Sequence, residues 1–193
     1  MKILLGQYKG RNFYMPRGIR PTQNVVRKAI FDIVGHDLSE LDFLELFAGS
    51  GAVGFEAVSL GAKKVTWVEN DPRCIKVIED NLRVLNIKSD DNPNLNFQVI
   101  EGDVFAMIKQ MARNNKKFDF IFLDPPFGDG LVKKALKTLN AYDILHPDCF
   151  VIVQYDKSEI LPESEQGRFH LIKQRKYGSS TLAVYKTSEP AKN

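Results

Sequence analysis

From residue 41 onward, short apolar runs alternate with longer stretches whose apolar residues recur every three or four positions. Nothing else in the chain constrains its fold as strongly, because strands alternating with helices bury their apolar faces as a parallel sheet covered by helices on both sides. Strands are expected at Leu41–Phe47, Lys64–Glu69, Asn96–Glu101, Phe118–Leu123 and Cys149–Tyr155. Helices are expected at Val53–Leu60, from Pro72 to about Leu85, at Val104–Ala112 and at Leu131–Ala141. Asp71 is placed to cap the second of these, with Pro72 at its first position, where a missing N–H costs nothing. Residues 89–94 read as a polar loop. Phe169–Tyr177 and Thr181–Lys186 read as two strands joined at Gly178-Ser179-Ser180, a terminal antiparallel hairpin. In such doubly wound sheets ligands bind beyond the C-terminal ends of the strands, so the turns after the strands are where chemistry is sought.

The 193 residues suffice for one good core and are short for two. No apolar run approaches the ~20 residues of a membrane span, and Gly6-Gln7 interrupts the only apolar start, so a cytoplasmic protein without a signal peptide is expected. Cys74 and Cys149 stand alone, without CxxC or histidine spacing; they are expected to be buried free thiols, and no metal site is expected. His36, His146 and His170 fall away from the glycine-rich turn described below and read as structural.

Charge is unevenly spread. Residues 1–31 carry Lys2, Lys9, Arg11, Arg17, Arg20, Arg27 and Lys28 and no acid. Removing those seven from 27 basic side chains leaves 20 against 24 acidic ones, a net −4 for the remainder. Arg168, Lys173, Arg175 and Lys176 form a second basic stretch, with no acid between Glu165 and Glu189. Clustered positive charge of this kind suits a polyanion. Residues 2–15 suggest a hairpin or extended arm. Pro21-Thr22 then opens a helix to about Val34, with Thr22 as N-cap and an apolar stripe of Val25, Val26, Ala29, Ile30 and Ile33. The expected organisation is a basic arm over 1–34, one α/β domain over 35–187 and a disordered tail over 188–193.

Between the first strand and its helix, Gly49-Ser50-Gly51-Ala52-Val53-Gly54 spells GxGxxG, and Glu69 follows twenty positions after Gly49 at the end of the next strand. Glycines there permit a tight turn and close approach of a ligand to the backbone, and a carboxylate at that distance can accept from both ribose hydroxyls. The pair fits NAD as well as S-adenosylmethionine (SAM). Glu45 before the loop can hold an ammonium, and Asp103 in Glu101-Gly102-Asp103 can take an adenine amino group, which suits SAM. Phe47, Ser50, Asn70 and Val104, flanking these residues, and Asp124 after the fourth strand complete the expected cofactor set.

The fourth strand ends in Asp124-Pro125-Pro126-Phe127. Asp124 and the Pro125 carbonyl offer two acceptors to a planar amine, the prolines stiffen the turn, and Phe127 offers a face for a base. These four are the expected catalytic residues.

The terminal hairpin on a doubly wound sheet resembles class I SAM-dependent methyltransferases, with a Rossmann-like, mostly parallel seven-stranded sheet. Phe47-Ala48-Gly49-Ser50-Gly51, Glu69, Asp103 and Asp124-Pro125-Pro126-Phe127, in that order, resemble the amino-methyltransferases among them. Gly6, Lys9-Gly10-Arg11, Arg20-Pro21-Thr22, Arg27-Lys28-Ala29-Ile30-Phe31 and Tyr177-Gly178 with Thr181-Leu182 resemble, more narrowly, the RsmD family of 16S rRNA guanine-N2 methyltransferases. Glu45 stands where that family's aspartate is expected. The resemblance implies SAM as cofactor and 16S rRNA in an assembled small ribosomal subunit as substrate. A monomer is expected because no long apolar helix face is left over, and the basic stretches are expected to grip RNA through Arg11, Arg17, Arg20, Thr22, Arg27, Lys173 and Arg175, with Lys176 beside them. The competing readings are a DNA adenine-N6 methyltransferase, which 193 residues leave little room for, a non-catalytic SAM- or RNA-binding module, and an NAD oxidoreductase.

Overall fold

The structure, a computed structural model, describes residues 1–87, 95–127, 130–159, 161 and 167–187. The expected loop at 89–94 and tail at 188–193 lie outside them. The chain divides into two compact units, Met1–Val104 and Phe105–Asn193. Among the described residues seven strands form one sheet in the order β3-β2-β1-β4-β5-β7-β6.

The first unit holds the arm, α1 (Asn24–Val34), β1 (Asp42–Leu46), α2 (Ala52–Ser59), β2 (Lys64–Glu69), α3 (Pro72–Val84) and β3 (Asn96–Glu101). Residues 43–46 of β1 and 65–69 of β2 are buried without alternation, as strands covered on both faces must be. They pair in parallel, Leu44 opposite Thr66, and β2 pairs in parallel with β3. The outermost strand, β3, is only partly buried. Every residue of α2 is buried, which explains a sequence apolar nearly all round. Asp71 caps α3 as expected, accepting from the Arg73 N–H at 2.9 Å, with Pro72 in the first turn. In the arm, Ile3 donates to the Arg11 carbonyl at 3.0 Å, Gly10 to Ile3 at 2.9 Å and Phe13 to Met1 at 2.9 Å, closing a small hairpin.

One expectation in this unit is corrected. Thr22 is not the cap residue of α1: the helix begins two residues later, and Gln23 occupies the cap with extended dihedrals and without a side-chain hydrogen bond of its own.

The second unit continues α4 (Val104–Arg113) into β4 (Phe118–Leu123), α5 (Leu131–Ala141), β5 (Leu145–Asp156), β6 (Phe169–Tyr177) and β7 (Ser180–Thr187). β4 and β5 are parallel; β7 runs antiparallel to β5 and β6, giving the expected terminal hairpin. β5 starts four residues before the expected Cys149. Leu145 pairs with Phe118, the register then shifts, and Asp148 takes a positive φ of 62°. The sequence His146-Pro147-Asp148 has the composition of a turn, yet it is carried inside the strand as this irregularity. β7 is buried, whereas β6 is largely exposed and bears Lys173, Arg175 and Lys176, charges that discourage edge-to-edge pairing.

Candidate functional site

The turn after β1 is tight because Gly51 donates to the Ala48 carbonyl at 2.7 Å and takes φ +69°. A Cβ on Gly51 would lie 2.9 Å from Trp67 Nε1, and one on Gly54 would lie 2.3 Å from that atom and 2.7 Å from Glu45 Oε2. The third glycine of the motif therefore serves close packing of helix on strand rather than ligand access. Trp67, fully buried on β2, donates from Nε1 to the Gly51 carbonyl at 3.2 Å and so braces the turn from below.

Glu45 lies under this turn and is 2 % exposed. Its Oε2 accepts from the Gly54 N–H at 2.7 Å, satisfying one of the amides that the start of α2 leaves without a helical partner. A carboxylate is thereby fixed at the positive end of the helix. Sequence reasoning placed Glu45 beside the loop as an ammonium ligand; the contact to Gly54 is one it did not foresee.

Glu69 is buried at the end of β2 and binds main chain on three sides. Gly49 donates to Oε2 at 2.7 Å, and Asn70 and Asp71 donate to Oε1 at 2.8 and 3.0 Å. A carboxylate accepts about four hydrogen bonds, so roughly one acceptor direction remains. The Gly102 N–H donates to the Glu69 carbonyl at 2.9 Å, which ties the turn after β3, and with it exposed Asp103 and buried Val104, to the same place. Gly49, Glu69, Asn70, Gly102 and Asp103 are thus brought together, while Phe47, with φ +56°, and buried Ser50 complete the first turn.

In the second unit, β4 ends at fully buried Leu123, and Asp124-Pro125-Pro126-Phe127 follows directly. Asp124 is half-buried, Pro125 buried and Pro126 exposed, and the Phe127 ring is 38 % exposed, one of the few large apolar side chains open to solvent.

Arg11, Arg17, Arg20, Lys173, Arg175 and Lys176 are exposed. Arg11 donates to the Leu85 carbonyl at 3.0 Å, and its guanidinium lies 4.9 Å from the centre of the Tyr8 ring. Arg27 is a correction. It is fully buried, its Nη1 lies 2.6 Å from Glu56 Oε1, and its Nη2 donates to the Lys2 carbonyl and Asn24 Oδ1 at 3.1 and 2.7 Å. No phosphate reaches it. Thr22 is buried as well.

Glu56, Ser59 and Asn81 were missed by sequence reasoning. Glu56 accepts from the Leu4 and Leu5 amides at about 3 Å in addition to Arg27. Ser59 receives the Tyr8 amide at 2.9 Å and donates to the Leu5 carbonyl at 2.5 Å. The arm is therefore clamped to α2, the helix that follows the glycine turn. Burial pushes the Glu56 carboxyl up and the Arg27 guanidinium down, each partly offset by the other's charge. An acid inside an otherwise apolar helix, and an arginine on the Ile30–Phe31 face of α1, were the available signals.

A doubly wound sheet with an antiparallel closing hairpin, a glycine turn after its first strand and an acid ending its second has the class I, Rossmann-like methyltransferase fold. Within that class the chain belongs to the family described as conserved hypothetical protein 95, whose model matches residues 1–186, and this is the RsmD family that the arm and hairpin motifs resemble. It is 31% identical over 187 residues to the ribosomal RNA small subunit methyltransferase D of Haemophilus influenzae, covering 96% of this chain and 93% of that one. To the protein of that name from Escherichia coli it is 28% identical over 164 residues, 84% of this chain and 78% of the relative. A solved Escherichia coli structure, described as "Putative methyltransferase yhhF", superposes with a TM-score of 0.82 at 25% identity, covering 98% and 99% of the two chains.

Proposed function

We propose that the protein transfers a methyl group from SAM to the exocyclic N2 of a guanine in 16S rRNA of the small ribosomal subunit. The observation that carries the reading is the Asp124-Pro125-Pro126-Phe127 turn, which leaves a buried strand with a carboxylate and an aromatic ring beside two rigid prolines. Family membership and the names of the relatives support it.

The donor set of the first unit fits SAM better than a dinucleotide. Glu45 sets a buried negative charge against the start of α2, where a pyrophosphate would otherwise be favoured. With Glu69 and Asp103 it makes the surroundings of the glycine turn suited to a cation. Glu45 favours the ammonium end by its charge, Glu69 retains room for one ribose hydroxyl, and Asp103 is exposed at the start of α4 for an adenine amino group. When bound, SAM supplies a methyl group on a sulfonium, open to in-line attack by nitrogen.

The chain's own residues then have three tasks. The target guanine leaves its stack, as base-modifying enzymes require, and Phe127 covers its exposed face. Asp124 and the Pro125 carbonyl accept the two amino hydrogens and hold the nitrogen with its lone pair turned out of the ring's conjugation. Positioning of this kind can lower the barrier by about 7–11 kcal/mol in the best-oriented cases. As the nitrogen takes the methyl and gains positive charge, leaving a neutral thioether on the donor, the bond to Asp124 strengthens, so the carboxylate stabilises the transition state more than the bound substrate, and the surplus amino proton then passes to water.

Exposed Arg11, Arg17 and Arg20 on the arm, and Lys173, Arg175 and Lys176 on β6, meet RNA phosphates and position the substrate without reading its sequence. The working form is a cytoplasmic monomer acting on assembled subunits. The test is incubation with methyl-labelled SAM and hypomethylated small subunits, naked 16S rRNA or unmethylated DNA. Label recovered as N2-methylguanosine from RNA is expected; label only as N6-methyladenine in DNA overturns the substrate.

A further inference from the structure

Tyr14 is 60 % exposed, yet its main chain is held as firmly as a residue in the middle of a sheet. Its N–H donates to Asn81 Oδ1 at 2.7 Å, and its carbonyl accepts from Asn81 Nδ2 at 3.0 Å. Asn81 is fully buried on α3, and its side-chain amide gives Tyr14 the two bonds a neighbouring strand would give. On one side Phe13 is buried with its ring 5.5 Å from that of Phe55; Pro16, two residues on, is buried too. With Phe13 turned inward and its own backbone pinned, the Tyr14 side chain is left open to solvent.

The composition of the arm around Tyr14 indicates a ligand for that ring. Exposed Arg11 precedes it by three residues, and exposed Arg17 and Arg20 follow it. An exposed aromatic residue in a segment rich in exposed basic residues is the composition of a single-strand nucleic-acid surface, where cations follow the backbone and the ring stacks on a base. Because the segment is already ordered, stacking does not have to offset loop ordering, and a tyrosine ring has only two side-chain torsions to fix.

We infer that Tyr14 is a stacking platform for an unpaired nucleobase of the RNA substrate, separate from the target base covered by Phe127. This rests on the RNA reading above and adds a second base contact, one that holds the substrate without entering the chemistry.

The experiment measures binding of labelled 16S rRNA to the full chain and to the variants Tyr14→Phe, Tyr14→Leu, Tyr14→Ala and Arg17→Ala across a salt series, with SAM affinity by calorimetry as the check on folding. Tyr14→Ala is expected to weaken RNA binding about 5- to 150-fold, since base stacking contributes about 1–3 kcal/mol and each tenfold corresponds to about 1.4 kcal/mol. Tyr14→Phe should stay within about twofold and Tyr14→Leu should resemble the alanine variant, because leucine has no π-face. The salt slope should be unchanged in all three and reduced by about one in Arg17→Ala. If Tyr14→Ala or Tyr14→Leu binds like the parent while Arg17→Ala is weakened, the platform is wrong and the RNA reading stands. If the parent neither binds nor methylates rRNA, both fall.

Discussion

On the proposed mechanism, replacing Asp124 with alanine removes the carboxylate offered to the target amine. Methyl transfer should fall at least about a hundredfold, as for a lost preorganised electrostatic partner, with SAM affinity by calorimetry within a few fold of the parent. Normal turnover would remove Asp124 from the mechanism. Gly54→Ala tests the packing role of the third glycine: with Trp67 Nε1 2.3 Å from the new Cβ, overpacking should cost about 1–3 kcal/mol or more in chemical denaturation. The thiols give a pH prediction. Burial lifts Cys74 to about 11, helped by the negative charges of Glu69 and Asp71, and lifts Cys149 further still. A raised thiol pKa means that folding favours the protonated form, a contribution complete below the ordinary thiol value of about 8.5 and lost as pH climbs through the folded one. At pH 8 the native protein should react slowly with a thiol reagent at both cysteines, and the urea-unfolded protein rapidly; fast native reaction would contradict the burial of these groups.

At the scale of elements, the arm and α2 behave as one piece because Glu56 collects the Leu4 and Leu5 amides and the Arg27 guanidinium in a fully buried cluster. Glu56→Ala leaves Arg27 buried without its counter-charge and should cost about 3–5 kcal/mol, read as a drop in the denaturant midpoint. Replacing Arg27 and Glu56 together by Met and Gln should cost clearly less than the two single changes added, since no uncompensated charge remains. Additive losses would show that the ion pair is not the coupling. The strands and helices themselves were legible. β2, β3, β4, α5 and β6 have the bounds read from their apolar runs, because glycine, proline and polar residues bracket each one. The start of β5 was not, because His146-Pro147-Asp148 has turn composition and only its pairing reveals it as strand.

Over the whole molecule, what was hidden is long-range and polar. Glu56 meets Leu4 across 52 positions, and Asn81 meets Tyr14 across 67. Periodicity reports which face of an element is buried and is silent about which distant backbone amide a polar side chain will find. The same limit placed Arg27 among the RNA-gripping cations: net charge counts a guanidinium whether it faces solvent or Glu56. The glycine turn, Glu69 and the Asp124–Phe127 motif were legible because their spacing relative to strand ends is local. With Arg27 internal, the cations proposed for RNA are exposed Arg11, Arg17 and Arg20 on the arm of the first unit and exposed Lys173, Arg175 and Lys176 on β6 of the second. Raising salt from about 50 to 200 mM should weaken rRNA binding by orders of magnitude if about six phosphates are engaged, and leave SAM affinity nearly constant. Digestion of hypomethylated small subunits after reaction with methyl-labelled SAM identifies the target atom. Label is expected in N2-methylguanosine and should fall at least about a hundredfold in Asp124→Ala; label in another nucleoside, or in N2-methylguanosine but undiminished by that substitution, would rule out the proposed transfer.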